Sequence, residues 1–487
     1  MLFNSYIFIL VFLPLAVAGY FLLNRLGRYT LAKIFLILMS LWFYGYFNPA
    51  YLAVIVSSVL ANYGIRRLLL NRETLQAKKW GLAAGLLFNI GLLFLFKYYD
   101  FFIANVNALF HGALPFLHIA LPLGISFFTF QQLSYIIDAY RGGVEDYAFV
   151  DYALFVVFFP QLIAGPIVRH AEMIPQFLDP AKKRFDYENF ARGLQVFTLG
   201  LAKKVLLADT FGRAVDAVYA GLAGARSFDA LLAIFAYTMQ IYFDFSGYCD
   251  MAAGLGLMLN IRIPQNFHSP YRALNAAEFW RRWHMTLGSF FTDYLYIPLG
   301  GSRRGRGRAL VNVMIVFLVS GLWHGADYTF VLWGALHGLA VVASRLTGRP
   351  KSPPLRLLSW LLTFLFINLS WVFFRAGSID EAMQMFRALG NWNGLTGSAT
   401  YSFFEPMYTT LMQAAVRICG LPSRYAGYVA ALLWALAGFY FAVPARNTGE
   451  RLARFRPAPW RAALYVPLFV WCLLSLSGVS RFLYFNF

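Results

Sequence analysis

The chain has 487 residues, of which 60% are hydrophobic, 19% aromatic and only 13% charged. Soluble domains carry about 25% charged residues, so this composition excludes a soluble globular protein and describes a polytopic membrane protein. The net charge of +19 invites a nucleic-acid reading, but Lys and Arg collect in the cytoplasmic loops of membrane proteins, and no nucleic-acid partner is expected.

The first apolar run, IFILVFLPLAVAGYFLL, has no Lys or Arg before it, and the first cation is Arg25. That charge order argues for a retained helix with its N-terminus outside rather than a cleaved signal. Residues 24–33 carry Arg25, Arg28 and Lys33, and residues 66–79 carry Arg66, Arg67, Arg72, Lys78 and Lys79 against Glu73. Both loops are predicted inside, with the Asn48-Pro49 turn outside. A fourth helix is predicted over 80–97, followed by an external loop over 98–118.

The segment 151–168, DYALFVVFFPQLIAGPIV, is interrupted by Pro160, Gly165 and Pro166, and cations flank it. Two readings stand: a re-entrant segment, whose irregular backbone must be shielded by protein or line a wet cavity, and a proline-kinked span. Lys203 and Lys204 interrupt the next apolar run. In YFDFSGYCDMAAGLGL, Asp244 and Asp250 sit in apolar company and need partners; holding helices together is the favoured role. Cys249, Cys419 and Cys472 lie far apart in apolar surroundings and are read as buried thiols. No His pair has metal-ligand spacing, and no metal is expected.

In NAAEFWRRWHMTLGSFF, Asn275 and Glu278 fit an N-cap and N3 pair. Trp280, Trp283, His284, Leu287 and Phe291 then recur at helical spacing on one face, with Arg281 and Arg282 largely on the other. An interfacial aromatic helix has this pattern too. The functional alternative turns His284 toward the interior and uses Arg281, Arg282, Arg303 and Arg304 as a rim for donor phosphates.

The loop GGSRRGRGR at 300–308 is basic and predicted cytosolic. His324 then lies about 21–24 Å along a helix from that surface. The chain turns near Gly325-Ala326-Asp327 and runs back to Arg345. Each arm is slightly short of a ~30 Å crossing, so the protein is expected to be thinned there, with an outward funnel and His324 near its floor. An imidazole so placed is a candidate general base; a neutral packing histidine is the plainer reading. His337 is expected to pack. SIDE at 378–381 fits a capping box, and Ile379, Met383 and Phe386 fall on one face of a short helix expected on the membrane surface.

The expected architecture is all-α, with roughly 10–13 membrane segments including re-entrant and interfacial helices around a central funnel or tunnel. N-terminal helices occupy 1–97, a catalytic core 119–345, an external polar segment 376–426 and C-terminal helices 427–487.

Five long motifs, LPLGISFFTFQQLSYIIDAYRG, FPQLIAGPIVR, YFDFSGYCDMAAGLGL, EFWRRWHMTLGSFFTDYLYIPLGG and GLWHGADYTFVLWGALHG, together with the terminal FLYFNF, resemble the membrane-bound O-acyltransferases, in particular their alginate O-acetyltransferase-like bacterial branch. The resemblance implies an active-site histidine at His324 and a second functional histidine at His284. It also implies a tunnel joining a cytosolic donor entrance to an outer funnel. The expected donor is acetyl-CoA, with no permanently bound cofactor. The expected partners are a periplasmic acetyltransferase, an exported polysaccharide and inner-membrane lipids. D-alanyl transfer from a carrier protein is the near alternative, and a transporter or flippase the distant one.

Overall fold

The computed structural model describes residues 1–71, 74–348, 350, 352–392, 420, 426–476 and 482–483. Most of the polar segment expected over 376–426, Cys419 and most of the terminal FLYFNF lie outside the described residues. Among the described residues every regular element is helical. Six are long and apolar enough to cross a membrane, and three shorter apolar helices accompany them. The protein is a polytopic membrane protein.

The N-terminal helices α1 (Leu13–Arg25), α2 (Tyr29–Gly45) and α3 (Ala50–Leu70) form where the apolar runs were read. Asn48 starts α3, its Oδ1 accepting the Ala50 N–H at 3.0 Å. The fourth helix is longer than expected. α4 (Leu75–Leu93) passes through a π-helical turn at Phe94–Tyr98 into α5 (Tyr99–Phe110), a helix where a loop was predicted. Asp100, expected as a loop acid, instead ties down the chain beyond α5 by accepting the Leu117 and His118 N–H groups at 2.8 and 3.0 Å.

α6 (Ile125–Tyr140) leads to the interrupted segment. There α7 (Phe149–Val157) has nine residues, about 13 Å of helix and too short to cross. Helix resumes only at α8 (His170–Leu178). All of residues 151–168 are buried, so the irregular backbone is shielded by protein. Its flanks are tied to residues of the basic loops' end: Lys33 pairs with Asp151 at 2.5 Å, Arg66 with Asp146 at 2.7 Å, and Arg169 with Asp293. Both flanks thus lie against segments next to loops expected on one side, the arrangement that the re-entrant reading requires.

α9 (Tyr187–Ala202) continues through a π-helical turn, Lys203–Ala208, into α10 (Asp209–Ala220). The long α11 (Ser227–Met258) packs along α9. The approach is close because glycines face each other. A Cβ on Gly193 would lie 2.6 Å from Gly254 O, and one on Gly200 would lie 2.6 Å from Gly247 O. Lys204 meets Asp244 at 2.7 Å and Asp209 at 2.9 Å; Lys203 meets Asp250 at 2.6 Å. The two acids of the motif therefore pair helices.

Two short helices follow, α12 (Ala276–Trp280) and α13 (Met285–Phe291). The hairpin α14 (Arg306–His324) and α15 (Tyr328–Thr347) comes next, then α16 (Pro353–Arg375) and α17 (Ile379–Leu389). Ser378 caps α17, accepting the Glu381 N–H at 3.1 Å, while the Glu381 carboxylate reaches Gly377 N–H at 2.6 Å instead of the cap residue. The buried face of α17 is Ala382, Met385 and Ala388; Met383 is exposed. That face packs on Val218, Ala230, Ile234 and Val372. Small residues let this face of the helix approach its neighbours, while Met383 of the expected face points outward. α18 (Ala426–Ala442), α19 (Thr448–Leu452) and α20 (Pro459–Leu474) complete the described chain. Cys249 and Cys472 are buried thiols.

Candidate active site

The α14–α15 hairpin has the predicted turn. His324 is the last residue of α14, and Asp327 caps α15 by accepting the Thr329 N–H at 2.8 Å. Glycines bring the arms together: a Cβ on Gly321 would stand 2.3 Å from Phe330 O. The His324 ring is 2% exposed and lies edge-on to aromatic rings, with centroids at 4.8 Å from Trp323, 5.2 Å from Trp333 and 5.1 Å from Phe374.

The last carbonyls of a helix have no partners within it. Here they are taken up from the π-helical turn between α4 and α5. Lys97 Nζ donates to Trp323 O at 2.5 Å and His324 O at 3.1 Å, and Tyr98 Oη donates to Leu322 O at 3.0 Å. A cation at a helix C-terminus is favourable twice over, through hydrogen bonds and through the helix dipole. A lone lysine inside LLFLFKYYD was the available sequence signal for this contact, since a charge at such depth needs a reason.

His284 is placed differently from its prediction. The helix expected to run through it breaks after Trp280, and His284 has φ 46° and ψ 51°, the left-handed region, immediately before α13. The break is local: α12 holds only five residues, with Asn275 accepting the Glu278 N–H at 2.8 Å. Trp283, His284, Leu287 and Phe291 are nonetheless buried. The tertiary turn performs what helical spacing was expected to do. The His284 ring packs edge-on to Phe245 at 4.8 Å and Trp323 at 6.0 Å. Trp323 therefore touches both histidine rings.

A histidine with no capping oxygen begins α13, so another residue must serve its first N–H groups. Asn266 does so from the preceding loop. Its backbone O accepts the Met285 N–H at 3.0 Å, and its Oδ1 accepts the Thr286 N–H at 3.1 Å and the Thr286 hydroxyl at 2.9 Å. The same Oδ1 lies 3.2 Å from His284 Nδ1. Thr286 Oγ1 in turn accepts the Ile167 N–H at 3.0 Å, which joins this loop to the interrupted segment. Asn266 carried no sequence signal, because its role depends on the left-handed turn opposite it.

His337 packs, as expected. Trp280 Nε1 donates to its Nδ1 at 3.1 Å, leaving Nε2 as the donor toward Ser370 Oγ at 2.9 Å. The Ser370 hydroxyl proton goes to Ile367 O at 2.9 Å. Ser370 thus receives a proton from the imidazole's side and gives its own to the backbone, the reverse of an activated nucleophile.

A cavity of about 690 Å³ reaches this region, lined by Trp280, Arg281, His284, Phe317, Ser320 and Arg345 among others. Arg345 and Gly348 place its mouth at the end of the hairpin that carries the basic loop. Ser320 is one helical turn before His324 on the same face of α14. Of the four arginines proposed as a rim, Arg281 lines the cavity. Arg282 instead bonds Glu278 at 2.8 Å and His268 O at 3.2 Å, and Arg303 and Arg304 are not among the lining residues. Arg169 and Arg345 line it beside Arg281. Burial alone would raise the Glu278 carboxyl, but hydrogen bonds from Arg282 and the Leu274 N–H outweigh it and hold the group below the usual carboxylate range.

The model of the membrane-bound O-acyltransferase family matches residues 36–355. The peptidoglycan O-acetyltransferase of Helicobacter pylori is 43% identical over 426 residues, covering 81% of each chain. A probable alginate O-acetylase of Pseudomonas putida is 35% identical over the full length of both. The teichoic acid D-alanyltransferase of Bacillus subtilis is 27% identical over 45% of this chain and 57% of its own. Buried imidazoles at the inner end of a membrane hairpin, a cavity leading toward them and these matches agree: the chain belongs to the membrane-bound O-acyltransferase family and is an O-acyltransferase.

Proposed function

We propose that the protein takes an acetyl group from cytosolic acetyl-CoA and passes it, within the bacterial inner membrane, to a hydroxyl supplied from the outer side. The acetyl group then reaches an exported polysaccharide directly or through a periplasmic acetyltransferase. His324 accepts the hydroxyl proton as the oxygen attacks the thioester carbonyl carbon. The tetrahedral intermediate collapses, the C–S bond breaks, and the departing thiolate takes the proton back. No acyl-enzyme is needed, since the structure gives Ser370 the wrong hydrogen-bond polarity and Cys249 no base: its Sγ meets Asn266 Nδ2 at 3.3 Å. Arg281, Arg169 and Arg345 are suited to the donor's phosphates. Arg303 and Arg304 would serve only as part of the basic surface outside the cavity.

The observation that carries this reading is the arrangement around Trp323, whose ring touches both His284 and His324 while the cavity from the basic end reaches Ser320 and His284. The names of the two closer-matching relatives, both O-acetyl enzymes, support acetyl as the group moved. The test uses purified protein in liposomes of bacterial lipid. Labelled acetyl-CoA is supplied on one face and alginate or peptidoglycan fragments on the other. Label on the polymer or on an added acetyltransferase partner supports the reading. Transfer only from a carrier-protein thioester moves the chain to D-alanyl chemistry, and transfer from neither donor sinks the proposal.

A further inference from the structure

Asn266 contacts His284 with an atom whose identity is settled by its other neighbours. The Thr286 backbone N–H can only donate, and it points at that atom from 3.1 Å. The atom must therefore be the amide oxygen, with Nδ2 directed to Cys249 Sγ at 3.3 Å. An oxygen 3.2 Å from His284 Nδ1 accepts only from a protonated nitrogen. Neutral His284 consequently carries its proton on Nδ1, and Nε2 holds the lone pair. His337 is held in the opposite tautomer by Trp280, so the two imidazoles are not interchangeable.

The surroundings make this assignment rigid. Asn266 is 2% exposed and His284 1%. The left-handed backbone of a non-glycine residue is strained and persists only where its neighbours over-determine it. Here the His268 N–H donates to Arg282 O at 2.9 Å and the Met285 N–H to Asn266 O at 3.0 Å, so the two loops lock on either side of the turn. Asn266 also borders a second cavity of about 490 Å³, with Lys203, Asp250 and Arg262 on its walls, while His284 borders the first. The Asn266–His284 contact is thus part of the partition between two cavities.

We propose that Asn266 is a positioning residue for acyl transfer: it fixes His284 as the Nδ1–H tautomer, so that Nε2 serves the reaction as an acceptor and never as an oxyanion donor. The inference rests on the proposed role of His284, but its first test does not. Protein labelled with ¹⁵N-histidine, reconstituted in lipid and assigned by the signal missing in His284→Gln, reports the tautomer directly by NMR. A protonated Nδ1 and bare Nε2 are expected; a bare Nδ1 overturns the proposal whether or not His284 acts in catalysis. The second test is kinetic. Asn266→Leu, which cannot accept, is expected to lower kcat on the order of 10²-fold, the low end of a general acid–base contribution, with KM within about twofold. Asn266→Asp, which keeps the acceptor and remains a good cap, is expected to retain kcat within about threefold. Full kcat in Asn266→Leu overturns the positioning role. Full activity in His284→Gln would instead sink the reading of His284 and leave the tautomer result standing.

Discussion

Where α9 packs on α11, the polar groups of the apolar interior are matched by sign. Lys204 stands between Asp244 and Asp209, and Lys203 bonds Asp250, which also accepts from Thr448 Oγ1 at 2.6 Å. At the inner end of α14 the contacts are of another kind. Imidazoles lie against indole and phenyl rings, and their orientation comes from an amide, an indole N–H and a lysine that grips the backbone rather than the ring. Ion pairs suit a joint that must not change charge during a cycle. Aromatic walls pair with no charge; they shape the pocket and favour a neutral imidazole, the form that the proposed proton acceptor needs. The difference teaches where to look for chemistry in a membrane protein rich in buried polar residues: at those held for direction, not for neutralisation.

The comparison breaks most sharply at His324. His324→Ala is expected to lower transfer by about 10²–10⁴-fold in the liposome assay while its unfolding temperature in detergent stays close to the parent's. A variant that unfolds but transfers normally when stable would reassign His324 to the packed class. The paired side is tested next. Asp244→Leu leaves Lys204 with Asp209 as its ion-pair partner, and a loss of about 1.5–3 kcal/mol is expected from fluorescence-monitored unfolding. Adding Lys204→Met should restore part of that loss. If the single change is silent, the ion pairs are not the joint described here.

Lys97 stands between the two classes, a cation that holds the end of α14, where catalysis is proposed. Lys97→Met removes the donor to Trp323 O and His324 O and is expected to cost about 1–3 kcal/mol. It should also lower transfer more than a substitution of similar cost in α17, such as Met385→Ala. Equal activity in the two variants would make Lys97 an ordinary anchor.

The smallest effect concerns the ion pair of Glu278 and Arg282. The folded-state carboxyl is depressed, so its contribution is present above the unfolded value, about 4.3, and lost as pH falls through the lower folded value. Glu278→Gln should therefore cost about 0.5 kcal/mol at neutral pH, with no difference from the parent in strong acid. A difference that grows on acidification would reverse the assignment.

Much of this molecule was legible in the chain. Apolar length and loop charge define membrane helices because a bilayer tolerates few exposed charges, and they located the α14–α15 hairpin, its turn and the place of His324 at the end of the first arm. Buried carboxylates had to find partners, and the lysines that interrupt α9 supply them. The prolines of the interrupted segment show where a helix fails but not where the chain goes next; the ion pairs of Asp151, Asp146 and Arg169 tie both flanks to segments beside the basic loops. For α17 a hydrophobic stripe suits lipid and protein equally, and only its neighbours show that Ala382, Met385 and Ala388 pack on protein.

The sequence by itself marked an aromatic stripe in the WRRWH region and left His284 between the membrane interface and the interior; the fold buries it. The sequence could not determine how, because the left-handed turn is a backbone choice stabilised by Asn266, Thr286 and Ile167, residues far apart in the chain. Nor could it show which nitrogen of an imidazole holds the proton, or that Lys97 closes the end of α14. Local sequence sets period and polarity; the direction of a hydrogen bond is set by whatever the fold brings opposite it.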